Sequence, residues 1–372
     1  MSASAKRFVT SQLNNIGVTL NGTDPWDPQI HDDRLWARLL RDGTLGLGES
    51  YMDGWWDAEA LDQFLFRLIS ANVQDAFPKD LAVMWSVAKG RLLNLQRLRV
   101  TEVGEKHYDI GNDLYAAMLD RRMIYSCGYW KDATDLDAAQ EAKLDLICRK
   151  IGLAPGMRIL DIGSGWGGFL QFAAERYGVS GLGVTVSKEQ AALANERAKD
   201  LPVETRLLDY QALDGQFDRI ISIGMFEHVG YKNYRAYFEK AASLLKPDGL
   251  FLLHSIGGHT STTHGDPWSE KYIFPNGMLP SIAQIGKAIE GLFVMEDWHN
   301  FGADYDRTLM AWRDRFDAAW PRLESEKYDA RFRRMWRYYL SVFAALFRAR
   351  NISLWQVVLS PGGVPGGYQS IR

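Results

Sequence analysis

Cysteine is almost missing from this 372-residue chain, which has only Cys127 and Cys148. So few thiols build no disulfide framework, and they point to a reducing cytoplasm. Excess charge is missing as well. Lys+Arg 43 against Asp+Glu 46 leaves a net charge of -3, so no global basic field argues for a nucleic-acid partner. The longest strongly apolar run, near 338–347, is too short to span a bilayer. The first residues, Met1 to Arg7, contain no signal-peptide apolar core. The seven histidines show no metal-ligand spacing with cysteine, and no metal site is expected. Internal repeats and low-complexity tracts are absent. These absences leave a protein that is soluble or sits on a membrane surface.

Apolar and aromatic side chains are plentiful: the hydrophobic fraction is 47%, with Trp 13, Tyr 16 and Phe 17. That suffices for one large domain plus a smaller one. The aromatic richness suits a large apolar cavity or a lipid-facing surface.

Residues 1–100 read as helical. Leu35, Leu39 and Leu40 form one stripe, and Leu61, Phe64, Leu65 and Leu68 another. Gly43, Gly46, Gly48 and Gly54 between them read as a turn-rich segment ending in Trp55-Trp56. Leu81–Arg99 mixes apolar residues with Lys89, Arg91, Arg97 and Arg99. Such a stretch lies on an anionic membrane or docks as a buried helix with solvated basic ends. A boundary is expected near residue 100, dividing a helical domain 1–100 from a domain 101–372. After an irregular aromatic stretch, a helix is expected from Asp135 to Ile151 with Leu144, Ile147 and Ile151 inward. Strands are expected at 158–162, 180–185, 203–207, 217–223, 249–256, 291–298 and 353–359, with helices between the first five. The segment 307–350 reads as a long aromatic helical cap.

The stretch Arg158-Ile-Leu-Asp161-Ile-Gly163-Ser-Gly165-Trp166-Gly167-Gly168 is a strand, a glycine-dense turn and a helix start. Glycines allow positive φ and close approach of backbone to a ligand, and the helix beyond offers free N–H groups. Gly163-x-Gly165-x-x-Gly168 matches a dinucleotide fingerprint, but that fingerprint wants an acid at the end of the second strand. Here that strand ends Gly183-Val-Thr185-Val-Ser187 without one. The acids stand instead at Asp161, before the glycines, and at Asp209, after the third strand. That pattern is the one found in S-adenosylmethionine-dependent methyltransferases. The alternative, a purely structural turn in an α/β sheet, is much weakened by the two acids.

Five longer stretches go beyond a fold pattern: Leu45 to Trp56, Tyr125 to Trp130, Gly224 to Gly230, Lys271 to Gly277 and Asp297 to Tyr305. In these the chain closely resembles, over essentially its full length, the bacterial cyclopropane-fatty-acyl-phospholipid synthases of the cyclopropane and mycolic acid synthase family. One departure is Ser164, where the family usually has Cys; a role for that thiol is excluded here.

The resemblance implies an α/β fold: a doubly wound, mostly parallel seven-stranded methyltransferase (Rossmann-like) sheet with a helical cap, plus a small helical N-terminal domain for lipid or dimer contacts. It implies transfer of a methylene from S-adenosylmethionine across the cis double bond of a phospholipid acyl chain. A carbocation forms on the chain, and a bound bicarbonate takes up the proton. Its cradle maps to Cys127, Glu227, His254, the backbone of Ile256 and Tyr305. The chemistry is coherent, because a small oxyanion needs donors and an acid in the same pocket must share a proton with it. Each residue also has a plain structural alternative: a small buried Cys127, a helix-start acid at Glu227, a satisfied strand histidine at His254, a core Tyr305. Cofactor contacts are expected from Tyr125 and Ser126 at the methionine end, from Asp161, Gly163, Gly165, Thr185 and Gln190, and from Asp209 at the adenine. Trp166 is either a cofactor contact or a packing residue. The implied partners are a phospholipid membrane surface with anionic headgroups and a second copy of the chain. The implied location is the cytoplasm, peripheral at the inner membrane. Leu81–Arg99 and Arg331–Arg337 are the two basic-aromatic segments that suit the surface; for the second, a solvated helix face is the alternative.

Overall fold

The structure, a computed structural model, describes residues 2–73 and 111–372. The boundary near residue 100 and the basic segment Leu81–Arg99 lie outside the described residues. The described elements, in chain order, are α1 (Ser2–Asn15), β1 (Gln29–Ile30), α2 (Arg34–Met52), β2 (Trp56–Asp57), α3 (Leu61–Ser70), α4 (Asn112–Met118), α5 (Leu136–Lys150), β3 (Arg158–Ile162), α6 (Gly168–Tyr177), β4 (Ser180–Thr185), α7 (Lys188–Arg197), β5 (Val203–Leu207), β6 (Phe217–Ile223), α8 (Tyr234–Leu244), β7 (Leu245–Gly258), α9 (Pro267–Tyr272), α10 (Ile282–Ile289), β8 (Val294–Asn300), α11 (Ala303–Leu323), α12 (Ala330–Arg348) and β9 (Ile352–Ser360). They divide into two units. One takes the described residues 2–73, 263–275 and 309–352; the other takes 111–262, 276–308 and 353–372.

The first unit is helical. Helix α12 packs on α2 and α3, burying Trp336, Tyr339 and Leu340. The carboxylate of Asp62, at the start of α3, accepts from Arg313 and Arg348, each at 2.9 Å. Of the glycines expected to mark a turn, Gly54 (φ 75°) does lie in one, whereas Gly43, Gly46 and Gly48 lie inside α2, which runs to Met52 with a kink at Gly43 (φ 54°, ψ -126°). Close packing explains Gly48, where a Cβ would stand 2.4 Å from the Trp268 ring. The segment read as one helical cap is two helices, α11 and α12, and its residues from 309 on belong to this unit.

The second unit is built on a seven-stranded sheet in the order β5-β4-β3-β6-β7-β9-β8. The β3–β4, β3–β6, β4–β5 and β6–β7 pairs are parallel, and β8 pairs antiparallel with β9. Strand side chains alternate between faces, and the apolar runs here feed both. On β7, Phe251 and Leu253 join the core with Leu160, Phe226, Tyr237 and Phe238. Leu252 joins the opposite core with Ile159, Ile147 and Phe169. Two cores on two faces are the mark of a doubly wound α/β sheet. The expected strands are present, with β7 longer at both ends and β8 starting three residues later than expected. Gly291 (φ 70°) still belongs to the turn before it. Helix α5 starts after its cap Asp135, which accepts from Ala138 N–H, and Leu144, Ile147 and Ile151 are fully buried.

Candidate active site

In open parallel sheets ligands gather outside the carboxyl ends of the strands, and this unit places its functional candidates there. The loop after β3 turns at Gly163 (φ 85°) and Gly165 (φ 53°) before α6 begins at Gly168. Gly163 is also needed for space, because a Cβ there would lie 2.7 Å from Met225 Cβ. The loop walls a cavity of about 180 Å³. All nine residues expected to contact the cofactor line it: Tyr125, Ser126, Asp161, Gly163, Gly165, Trp166, Thr185, Gln190 and Asp209.

Their local chemistry differs. Trp166 is buried against Tyr115, ring centroids 4.9 Å apart, and its indole N–H donates to Asn112 at 2.9 Å. It is thus both a packing residue and part of the cavity wall. Thr185 donates to Gln190 Oε1 at 2.8 Å, which fixes the turn after β4. Asp209 caps the turn after β5, accepting from Gln211 N–H at 2.9 Å. Asp161 is 2% exposed and its Oδ1 has no partner. Burial raises its carboxyl to about 7, against the opposing pull of the Lys143 charge.

The second set of candidates stands on two parts of the unit, one around β6 and β7 and one around Cys127 and the start of α11. Glu227 follows β6 in a single helical turn, 226–228. Its Oε1 accepts from Ile256 N–H at 2.7 Å, and its buried Oε2 has no partner. Burial pushes this carboxyl up to about 7, with the Ile256 N–H and Ser255 hydroxyl restraining the rise. The Ile256 N–H, expected to face an anion, is therefore already given to Glu227. Two residues earlier on β7 stands His254, fully buried, with Nδ1 3.3 Å from Gln356 Nε2 and no partner at Nε2. Burial holds its imidazole well below the usual range, assisted by Lys143 and Lys150. The other group is Cys127 and Tyr305. Cys127 is fully buried, and burial lifts its thiol well above the ordinary value. Its Sγ lies 4.0 Å from Thr308 Oγ1, on the first turn and a half of α11, where Tyr305 is also buried. The Gly128 N–H and the Trp130 indole both donate to the same Thr308 hydroxyl, at 3.1 and 2.8 Å.

Lys143 is a cavity residue that the sequence reading missed. It is fully buried on α5, and its ammonium donates to Ser126 Oγ at 2.9 Å. One turn away, Gln140 donates to Ser126 O at 2.7 Å. The signal was present: Lys143 shares the inward face of α5 with Gln140, Leu144 and Ile147. A lysine on an apolar helix face has to be accounted for.

The basic segment Arg331–Arg337 is heavily paired. Arg331 bonds Asp53 at 3.0 Å, Arg334 reaches Asp57 at 2.8 Å, and Arg337 reaches Asp317 at 3.3 Å. That favours its structural reading over a free basic face. Among the described residues no helix is long and apolar enough to cross a membrane.

Comparison with known proteins places this geometry. The family model described as mycolic acid cyclopropane synthetase matches residues 96–357. The cyclopropane-fatty-acyl-phospholipid synthase of Escherichia coli K12 is 52% identical over 367 residues, covering 98% of this chain and 96% of that protein. The solved cyclopropane synthase MmaA2 of Mycobacterium tuberculosis is 31% identical, with a TM-score of 0.65 over 70% of this chain and 97% of its own. The mycolic acid cyclopropane synthase CmaA1, solved in complex with SAH and CTAB, is 32% identical, with a TM-score of 0.62 over the same shares. The chain belongs to the mycolic acid cyclopropane synthetase family, and it is an S-adenosylmethionine-dependent methyltransferase.

Proposed function

We propose that the protein is a cyclopropane fatty acid synthase. It adds a methylene across the cis double bond of an unsaturated phospholipid acyl chain through a carbocation, yielding a cyclopropane phospholipid and S-adenosylhomocysteine. The observation that carries this reading is the 52% identity to the E. coli synthase across nearly the whole of both chains. S-adenosylmethionine, bound in the glycine-loop cavity, supplies an electrophilic methyl group. The loop after β3 and Asp209 hold it, and Tyr125 and Ser126 flank its methionine end.

The second half of the reaction needs a proton acceptor that does not trap a cation. The buried residues fit a bicarbonate in that role. Glu227 Oε2 and His254 Nε2 are buried polar atoms without partners. Where the Gln356 amide N–H donates to Nδ1, the His254 imidazole carries its proton on Nε2 and can present it as a donor. Cys127, Glu227, His254 and Tyr305 are the residues proposed to hold the anion, which would supply basicity for ring closure. Ile256 acts one step back, fixing the Glu227 carboxyl through its N–H.

The acyl chain lies in a bilayer, so the protein is proposed to work at the cytoplasmic face of the inner membrane on anionic phospholipid. The pairing of Arg331–Arg337 leaves the sequence segment Leu81–Arg99 as the preferred contact segment. A homodimer is part of the same reading; sedimentation at working concentration showing only monomer would remove it.

Lipid mass spectrometry after expression tests the reaction. Gain of one CH2 with loss of the double bond is expected. A methyl branch with a retained double bond, or methylation of an amine, would replace this reading with methyl transfer lacking ring closure.

A further inference from the structure

A fully buried ammonium needs an anion or a full set of acceptors. Among the described residues Lys143 finds neither: it carries three donors, and its one hydrogen-bond partner there is the neutral Ser126 hydroxyl at 2.9 Å. Among the described residues no carboxylate lies within ion-pairing distance, 4 Å, of its Nζ. The two nearby acids act from farther away. Asp120 spends its oxygens on the backbone N–H groups of Arg122 and Ile124, at 2.9 and 2.8 Å. Asp161 is 2% exposed and leaves Oδ1 without a partner. Lys143, Ser126 and Asp161 line one wall region of the same glycine-loop cavity. The cavity thus presents one buried cation with spare donors and one buried carboxylate with a spare acceptor, not bonded to each other. That is the complement of a zwitterion.

We infer that Lys143 binds the α-carboxylate of the cofactor's methionine end, with Ser126 beside it and Asp161 receiving the α-ammonium. The inference rests on the S-adenosylmethionine reading of the cavity and adds to it the residue that reads the carboxylate. The rival occupant is a small anion held near Cys127 and His254, since both feel the Lys143 charge. Placement decides against it: Lys143 forms part of the cavity wall, and neither Cys127 nor His254 does. Burial draws the Lys143 ammonium down to about 8 while Asp161 rises to about 7. Burial thus disfavours the charged form of both groups, and a bound zwitterion would stabilise those forms.

Titration calorimetry on the full chain tests this with two ligands, S-adenosylmethionine and its decarboxylated analogue, which differ only in the carboxylate. The wild type should prefer the complete cofactor by roughly tenfold or more, the scale of a charge-assisted bond. Lys143→Met should lose that preference, binding the complete cofactor at least about tenfold more weakly and the decarboxylated analogue unchanged. Lys143→Arg should restore part of the preference. Equal losses for both ligands would make Lys143 a structural cation and overturn the assignment. So would unchanged cofactor affinity with a raised bicarbonate requirement in turnover, which would identify the rival anion. If Lys143→Met does not fold, the wild-type comparison and Lys143→Arg decide: equal wild-type affinity for the two ligands overturns the assignment. A wild type that binds neither ligand would instead sink the cofactor reading itself.

Discussion

Glu227→Gln separates the role of a charge from the role of a shape. The amide keeps an oxygen for the Ile256 N–H now accepted at 2.7 Å, so the loop after β6 should hold its form. Glu227 forms no part of the cofactor cavity wall, so S-adenosylhomocysteine affinity should be unchanged. Turnover, which under the proposed reaction requires proton handling at this carboxyl, should fall by about 100-fold or more. Stability gives an independent readout. Burial raises the folded-state carboxyl from 4.5 to about 7. Between those values the folded protein holds a proton that the unfolded chain releases, so stability present below pH 4.5 is lost as pH rises through 7. That rise corresponds to roughly 3 kcal/mol. Glutamine cannot ionise, so the variant should match the wild type near pH 4.5 and exceed it at pH 8, by about 5 °C in melting temperature for a chain of this size. Thermal melts across pH 4.5–8.5, with single-turnover assays on cis-unsaturated vesicles, measure both. A melting difference that does not change with pH would refute the buried neutral carboxyl. Wild-type turnover in the variant would remove Glu227 from the reaction.

Three further substitutions probe other parts of the molecule. Asp209→Ala should weaken S-adenosylhomocysteine binding by about tenfold, the scale of a hydrogen bond to a charged acceptor; unaltered affinity by calorimetry would break the adenine assignment. Gly257→Ala would put a Cβ 1.9 Å from the Trp355 ring, itself packed at 5.0 Å on Trp298, so a loss of about 3 kcal/mol is expected from overpacking. A melting temperature equal to wild type would show that the ring moves freely. Asp62→Ala leaves Arg313 and Arg348 without their shared carboxylate and should destabilise by about 2 kcal/mol, below the fully buried case because both arginines are partly exposed. Denaturant unfolding with an unchanged midpoint would contradict it.

The sheet was legible in the sequence because its strands feed two cores and are punctuated by glycines. The run Leu250–Leu253 is continuously apolar, and Ile159–Ile162 is broken only by Asp161, as a strand buried on both faces requires. The glycine loop was legible because conformation and space both demand glycine at Gly163. Helix α2 was misread for the converse reason. Gly48 looks like a breaker, but its position is set by a neighbour far along the chain, Trp268, and local propensity carries no trace of that. The grouping of residues 309–352 with the N-terminal helices was invisible for the same reason. Lys143 was passed over because periodicity assigns a face and not a neighbour. Its importance emerges only when α5 sets it against Ser126 and the end of β3. Ile256 was expected to offer its backbone to a bound anion, and only the structure shows that its N–H serves the Glu227 carboxyl.

The charge states of the buried residues bear directly on the proposed chemistry. An alkene is a feeble nucleophile, and the carbocation that follows methyl transfer is captured by any good nucleophile within reach. A thiolate or a free imidazolium partner beside it would end the reaction early or repel the cation. Burial moves each group away from that outcome: the Cys127 thiol is driven up, the His254 imidazole is held neutral, and the Glu227 carboxyl is brought to about 7. One dry environment therefore does to an acid, a base and a thiol what the reaction needs of all three, because desolvation penalises every charged form alike. Burial shifts Asp161 and Lys143 in the cavity toward neutrality as well, but there the charges of the proposed cofactor would restore theirs. On this argument the distribution of charge, zwitterion-reading at the donor end and neutral at the acceptor end, follows from where α5 and β7 bury their polar residues. It also explains why Glu227→Gln is the sharper test than Glu227→Asp. The amide keeps the neutral form and removes only the capacity to exchange a proton.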